Sequence, residues 1–225
     1  MDFIFMLTRQ DRTVADCLDL VRLIHPLGLK HVGFKDVGVP PTTLAALSEA
    51  IRAGGATSYM EVVSTTPETC LASARIAAEI GVDCVMGGTD VVAIQGVLRK
   101  SETRFFPFPG YPHGHPTRLA GTLQDIEIHC RDFAARGCAG ADLLAYRATE
   151  ADPIALIRAA KRGLGEKRLI VAGSIVSRAQ IRAIAEAGAD AFTIGSAVLD
   201  GSYAPDMGSV LSQLGAIQAD LEPAR

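Results

Sequence analysis

Two pairs of small residues, Gly173-Ser174 and Gly195-Ser196, each follow an apolar run, Leu169 to Ala172 and Ala191 to Ile194 respectively. This placement suits a phosphate. Glycine lets the backbone approach an anion closely, and the serine after it adds a hydroxyl to the N–H groups that a helix start leaves free. A single Gly-Ser pair is also an ordinary way to end a strand. Two pairs in consecutive units near the C-terminus point instead to one phosphate held by both.

The remaining chemistry-bearing residues fall at the ends of other apolar runs. Lys35 closes HVGFK, where an amine could attack a carbonyl or take a proton. Glu61 sits in SYMEVVS, and a carboxylate among apolar and small residues is costly unless it is paired or faces an opening. As a general acid or base it could move a proton at a carbon beside a carbonyl. Both residues also have a plainer reading as a salt bridge that braces the fold, and either reading makes them neighbours. Asp36 would orient Lys35 or cap the next turn. Arg9 and Arg147 each offer a planar fork that matches the carboxylate of an anionic substrate, or a partner in a surface salt bridge.

The segment PFPGYPHGHPTRLAGT, residues 107 to 122, is long for a connection and dense in Pro, Gly and His. It is read as a mobile lid over the site, with His113 or His115 touching substrate. An H-x-H pair is a weak metal signal unless carboxylates converge on it. No metal or cofactor is expected.

These residues are set on a repeated unit of strand, short turn and helical pattern. Strands are expected at 3–7, 31–34, 58–63, 84–86, 105–108, 142–146, 169–172 and 191–194. Helices are expected at 13–24, 42–53, 67–80, 91–99, 122–136, 153–163, 178–187 and 207–221. Alternation of this kind implies a parallel sheet, and its regular repeat across the chain implies a closed (β/α)8 barrel over residues 1–225, with the phosphate turns after the seventh and eighth strands. An open doubly wound sheet is disfavoured because no G-x-G-x-x-G follows the first strand.

Composition narrows the function classes. The chain has 225 residues, 48% of them hydrophobic, and a net charge of -3, so it lacks the basic footprint of a nucleic-acid binder. The opening MDFIFMLTRQDR is too short an apolar stretch for a secretory segment or a membrane span, and Cys17, Cys70, Cys84, Cys130 and Cys138 form no C-x-x-C pair. A cytoplasmic protein is expected, with no membrane or nucleic-acid partner. Homo-oligomerisation is left open.

The stretch VAGSIVSRAQIRAIAEAGADAFTIGSAVLDG resembles the C-terminal quarter of the ribulose-phosphate-binding barrels. The resemblance implies a phosphate-binding barrel in which Gly173, Ser174, Gly195 and Ser196 grip the phosphate. The first turn departs from it, since many members carry Gly-Gly there. The strand ends Thr8-Arg9 and Pro109-Gly110 also lack the paired aspartates of the histidine-biosynthesis isomerases. The expected function is an enzyme acting on a small phosphorylated carbonyl or sugar substrate, with aldolase-like or other lyase chemistry at a carbon-carbon bond. Lys35 would be the Schiff-base or general-base residue and Glu61 the proton shuttle. A sugar-phosphate isomerase or epimerase on the same site, and a non-catalytic phosphometabolite sensor, are the alternatives. Barrel aldolases often carry their lysine late in the chain, whereas the sixth strand here ends in Tyr146-Arg147.

Overall fold

A computed structural model describes residues 1–64 and 66–221. Period-two patterning appears first in the strands. In β1, Asp2–Met6, the side chains of Phe3 and Phe5 pack outward against helices while Ile4 and Met6 point into a separate inner cluster. The other strands of the sheet are β2 (His31–Lys35), β3 (Thr57–Val62), β4 (Cys84–Gly87), β5 (Arg104–Phe106), β6 (Gly140–Leu143), β7 (Arg168–Val171) and β8 (Ala191–Ile194). Neighbours in the sheet run β6-β7-β8-β1-β2-β3-β4-β5, and every pairing is parallel. The two end strands meet as well. Ala139 N–H donates to Phe105 O at 2.9 Å and Asp142 N–H to Pro107 O at 3.0 Å, which brings the sheet round into a barrel.

Between the strands lie α1 (Cys17–Ile24), α2 (Pro41–Ala53), α3 (Pro67–Ile80), α4 (Val91–Leu98), α5 (Leu123–Ala135), α6 (Pro153–Leu164) and α7 (Arg178–Glu186). After β8 come the short α8 (Ser196–Leu199) and α9 (Val210–Leu221). Several helix starts are fixed by side chains that satisfy free N–H groups: Asp90 accepts from Ala93 N–H, Asp152 from Ala155 N–H and Ser177 from Gln180 N–H. Thr122 and Asp125 form a reciprocal capping box. The protein is therefore a (β/α)8 barrel, with an inner core of Ile4, Met6, Tyr59, Cys84, Met86, Phe106, Ile170 and Ala191 and a larger layer between sheet and helices. Among the described residues, no helix is long and apolar enough to cross a membrane.

The structure departs from the expected elements in four places, all at the mouth that carries the site. The first helix begins at Cys17 rather than Thr13, because Thr8–Arg9 and Arg12–Thr13 pair as a small antiparallel hairpin instead. The sixth strand is Gly140–Leu143 and not 142–146; the chain then turns through a 3₁₀ segment, Ala145–Arg147, that carries Arg147 back over the mouth. The long segment after β5 holds its own hairpin, Tyr111–His113 against Arg118–Ala120. The last helix starts at Val210 rather than at 207, the preceding turn being tied by the Gln213 side chain, which accepts from Ala204 N–H and donates to Ala204 O and Met207 O.

Candidate active site

Lys35 reaches the site because its backbone is clamped. Thr13 Oγ1 accepts from Lys35 N–H at 2.8 Å and donates to Lys35 O at 2.7 Å, so the hairpin after β1 fixes the end of β2. From there the Lys35 ammonium points into the barrel and donates to Asp11 Oδ1 at 2.7 Å, with Glu61 Oε1 3.2 Å away. Lys35 and Glu61 are opposite each other in the β2–β3 register, which places both side chains on the inner face. Each is almost wholly buried, at 4% and 3% exposure.

Asp11 is the hub of this arrangement. It lies at the tip of the Thr8–Thr13 hairpin, where Gln10 and Asp11 both take left-handed backbone conformations. Its carboxylate accepts from Lys35, from both terminal nitrogens of Arg147, and from Thr117 N–H at 2.9 Å. Burial pushes the Asp11 carboxyl up, but the Arg147 guanidinium and the Lys35 ammonium outweigh it and hold the group well below the usual carboxylate range. Burial acts against the charge on Arg147, and Asp11 more than restores it.

A cavity of about 230 Å³ opens above these residues. Lys35, Glu61, Asp11 and Arg147 line it together with Gly173-Ser174 and Gly195-Ser196. Gly173 and Ser174 are both left-handed, with φ of +81° and +59°. The Arg147 side chain lies across Gly173 so closely that a Cβ there would come within 2.6 Å of its Nε. Gly195 packs against β1, and a Cβ there would sit 2.6 Å from Thr8 Oγ1 and 2.9 Å from Met6 O. The segment after Gly195 forms α8 at once, with Ser196 as its first residue.

Other residues singled out in the sequence stand apart from this cavity. Asp36 does not line it, since its carboxylate accepts from Val63 N–H, Ser64 Oγ and Ser73 Oγ and ties β3 and α3 together. Arg9 donates to Asp200 Oδ1 and Leu199 O at the rim and is about half exposed. His113 and His115 lie exposed at the hairpin tip. Among the described residues, no cluster of three or more His, Cys, Asp or Glu side chains is arranged to hold a metal ion.

Two acidic members were missed. Asp142, inside GADLL, carried the same signal as Glu61, a carboxylate in an apolar strand, and it is completely buried in β6. Asp11, in TRQDRT, reads as a plain charged turn, and only the fold reveals that the turn points into the barrel.

No family model matches this chain, and no curated protein matches it in sequence. Solved structures do match in shape. Orotidine 5'-phosphate decarboxylase from Pyrococcus horikoshii OT3 superposes with a TM-score of 0.64 at 13% identity, covering 99% of this chain and 100% of that one. A candidate deoxyribose-phosphate aldolase from Coccidioides immitis gives 0.63 at 11% identity over 95% and 83% of the two chains. A single-substitution mutant of mandelate oxidase with (S)-mandelic acid gives 0.62 at 15% identity over 97% and 69%. The likeness establishes the barrel, and this range of chemistries on one architecture means the reaction must be argued from the site.

Proposed function

We propose that this chain is an enzyme that cleaves or forms a carbon-carbon bond in a small phosphorylated carbonyl compound, with Lys35 as a Schiff-base lysine. The observation that carries this reading is the Lys35–Glu61 contact of 3.2 Å at a cavity that the two Gly-Ser turns also line. An amine beside a proton acceptor, in one cavity with two turns of a kind suited to an anion, fits a substrate with a carbonyl at one end and a phosphate at the other. The cavity of about 230 Å³ is smaller than the roughly 300–1,000 Å³ of pockets for drug-sized ligands, which favours a short sugar or keto-acid phosphate.

Glu61 takes a proton from the Lys35 ammonium, and the freed amine adds to the substrate carbonyl. Return of that proton to the resulting hydroxyl expels water and leaves an iminium. In the cleavage direction Glu61 then accepts the proton of the β-hydroxyl. The electrons of the carbon-carbon bond move into the iminium and give an enamine, which Glu61 protonates at carbon before water releases the product. The phosphate rests on the N–H groups and hydroxyls of Gly173-Ser174 and Gly195-Ser196. Arg147, lying across Gly173, adds positive charge on that side. The buried free thiols of Cys17, Cys70, Cys84, Cys130 and Cys138 fit a reducing, cytoplasmic setting.

The test is reductive trapping. Incubation with a panel of phosphorylated aldehydes and ketones followed by borohydride should give a mass increase that peptide mapping places on Lys35, and Lys35→Met should abolish both adduct and turnover. An adduct on a different lysine, or turnover that survives Lys35→Met, removes this reading. Exchange of a substrate C–H with solvent, without any adduct, would identify the site as that of an isomerase or epimerase using Glu61 as its base.

A further inference from the structure

Lys35 and Arg147 both donate to Asp11, whereas Asp142 stands outside that network. Its side chain is 0% exposed, and neither Oδ1 nor Oδ2 has a hydrogen-bond partner among the described residues. Asp11, by contrast, accepts four hydrogen bonds from three residues. A buried carboxylate without donors loses its hydration and gains nothing in return.

Counting charges leads to the same place. The groups that act on Asp142 are Glu61 from β3, Lys35 from β2 and Arg147 from the turn after β6, while Asp11, from the hairpin after β1, is bonded to the latter two. Lys35 and Arg147 bring two positive charges, and Asp11 and Glu61 already balance them with two negative ones. A third carboxylate would be in excess. We propose that Asp142 is a resident carboxylic acid, which keeps its proton at neutral pH and thereby leaves Glu61 as the single carboxylate free to exchange a proton with Lys35 and substrate. This rests on the functional reading above and adds to it a positioning residue beneath the cavity floor, since Asp142 is not among the residues that line the cavity.

Burial and the neighbouring Glu61 charge both push the Asp142 carboxyl well above the usual carboxylate range, while Lys35 and Arg147 pull less strongly the other way. The sign of the pH effect follows. Below its ionisation Asp142 is neutral and Glu61 works alone. Above it, an uncompensated negative charge under the cavity opposes the binding of an anionic phosphorylated substrate, so kcat/KM falls on the alkaline side.

The first measurement uses the ligand-free wild-type protein and does not depend on any substrate. With 13C-labelled aspartate carboxyls, NMR or infrared spectroscopy at neutral pH should show one carboxyl in its protonated form, and that signal should be missing from Asp142→Asn or, if that variant does not fold, from Asp142→Ser. All aspartates ionised at neutral pH, or a protonated signal that survives the substitution, would overturn the proposal. The second measurement is the pH profile of kcat/KM, whose alkaline limb should move to higher pH in Asp142→Asn. An unmoved limb counts equally against it. Because the spectroscopic signal exists without Schiff-base chemistry, a failure of Lys35 trapping and a failure of this inference are separate results.

Discussion

Arg147 and Asp11 are joined twice across the barrel mouth, Nη1 to Oδ2 and Nη2 to Oδ1, the latter at 2.8 Å. The pair links the hairpin that follows β1 to the turn that follows β6, and Asp11 extends the link to Lys35 and to Thr117 N–H. Two fork-to-carboxylate bonds fix direction as well as distance. Four chain segments are thus held in register around a single carboxylate, which is why the cationic side chains of the cavity have defined positions before any ligand arrives.

Removing that carboxylate should be costly. Asp11→Ala leaves Lys35 buried with Glu61 as its one remaining ion-pair partner and Arg147 without its carboxylate, and breaking a buried pair from one side costs about 3–5 kcal/mol. Urea unfolding should show a loss of that order. The acid side carries the same information. The folded-state pKa of Asp11 lies below its unfolded value of about 3.9, so this group's contribution is complete above that value and fades as pH falls through the folded one. Asp11→Asn should therefore flatten the acid limb of the stability curve. A limb as steep as in the wild type would show that other carboxylates dominate it.

The segment from residue 107 to 122 should behave as two parts rather than as one lid. Its second half is pinned, with Thr117 N–H on Asp11 and Thr149 N–H on Leu119 O at 3.0 Å, whereas His113, Gly114, His115 and Pro116 are exposed. Hydrogen exchange should be slow at Thr117 without ligand and faster in Asp11→Ala. A phosphorylated ligand should slow exchange at the tip if the tip closes over the cavity. Equal tip exchange with and without saturating ligand would leave His113 and His115 no role at the site.

The legibility of the sequence had a physical boundary. Strand and helix positions follow from periodicities of two and 3.6, which local residues set by themselves, so the alternating pattern and the helix caps could be read along the chain. Glu61 and Lys35 stood out because a charge inside an apolar strand has few places to go. Asp142 obeys the same rule, but the strand expected at 142–146 puts it at an end, where a carboxylate is unremarkable. Asp11 could not be read this way. Its burial depends on a tight turn folding inward over β2, and nothing in TRQDRT distinguishes that from a solvated turn. Asp36 illustrates the converse, since its place next to Lys35 in sequence puts it on the other face of the strand, among Val63, Ser64 and Ser73.

The anion-binding role of the Gly-Ser turns can be examined at Gly195. A methyl group there meets Thr8 Oγ1 at 2.6 Å and the Met6 and Thr8 carbonyl oxygens at 2.9 Å, all belonging to β1 and its hairpin. Gly195→Ala should displace the start of α8 and cost about 1–3 kcal/mol of stability as an overpacked site. The affinity for inorganic phosphate or a phosphate ester, measured by calorimetry, should fall at least tenfold. Retained affinity with the expected loss of stability would separate the turn from the ligand and remove the phosphate assignment.

Gly173 offers the sharpest test of how the Gly-Ser turn and the Asp11 hub are coupled. Its φ of +81° suits glycine, and an added Cβ would press on Arg147 Nε at 2.6 Å, Cδ at 2.8 Å and Cγ at 2.9 Å. Arg147 can escape that contact only by moving its guanidinium, and the guanidinium is held by Asp11. Gly173→Ala should therefore carry two costs, roughly 1–2 kcal/mol for the left-handed backbone and a further part for the disturbed ion pair. The second part should vanish once Asp11 no longer holds Arg147. In a double-mutant cycle with Asp11→Asn, the two substitutions together should destabilise the protein by less than the sum of the single effects, with a coupling of about 0.5–3 kcal/mol. Additive effects would show that Arg147 gives way freely and that the phosphate turn and the Asp11 hub act independently.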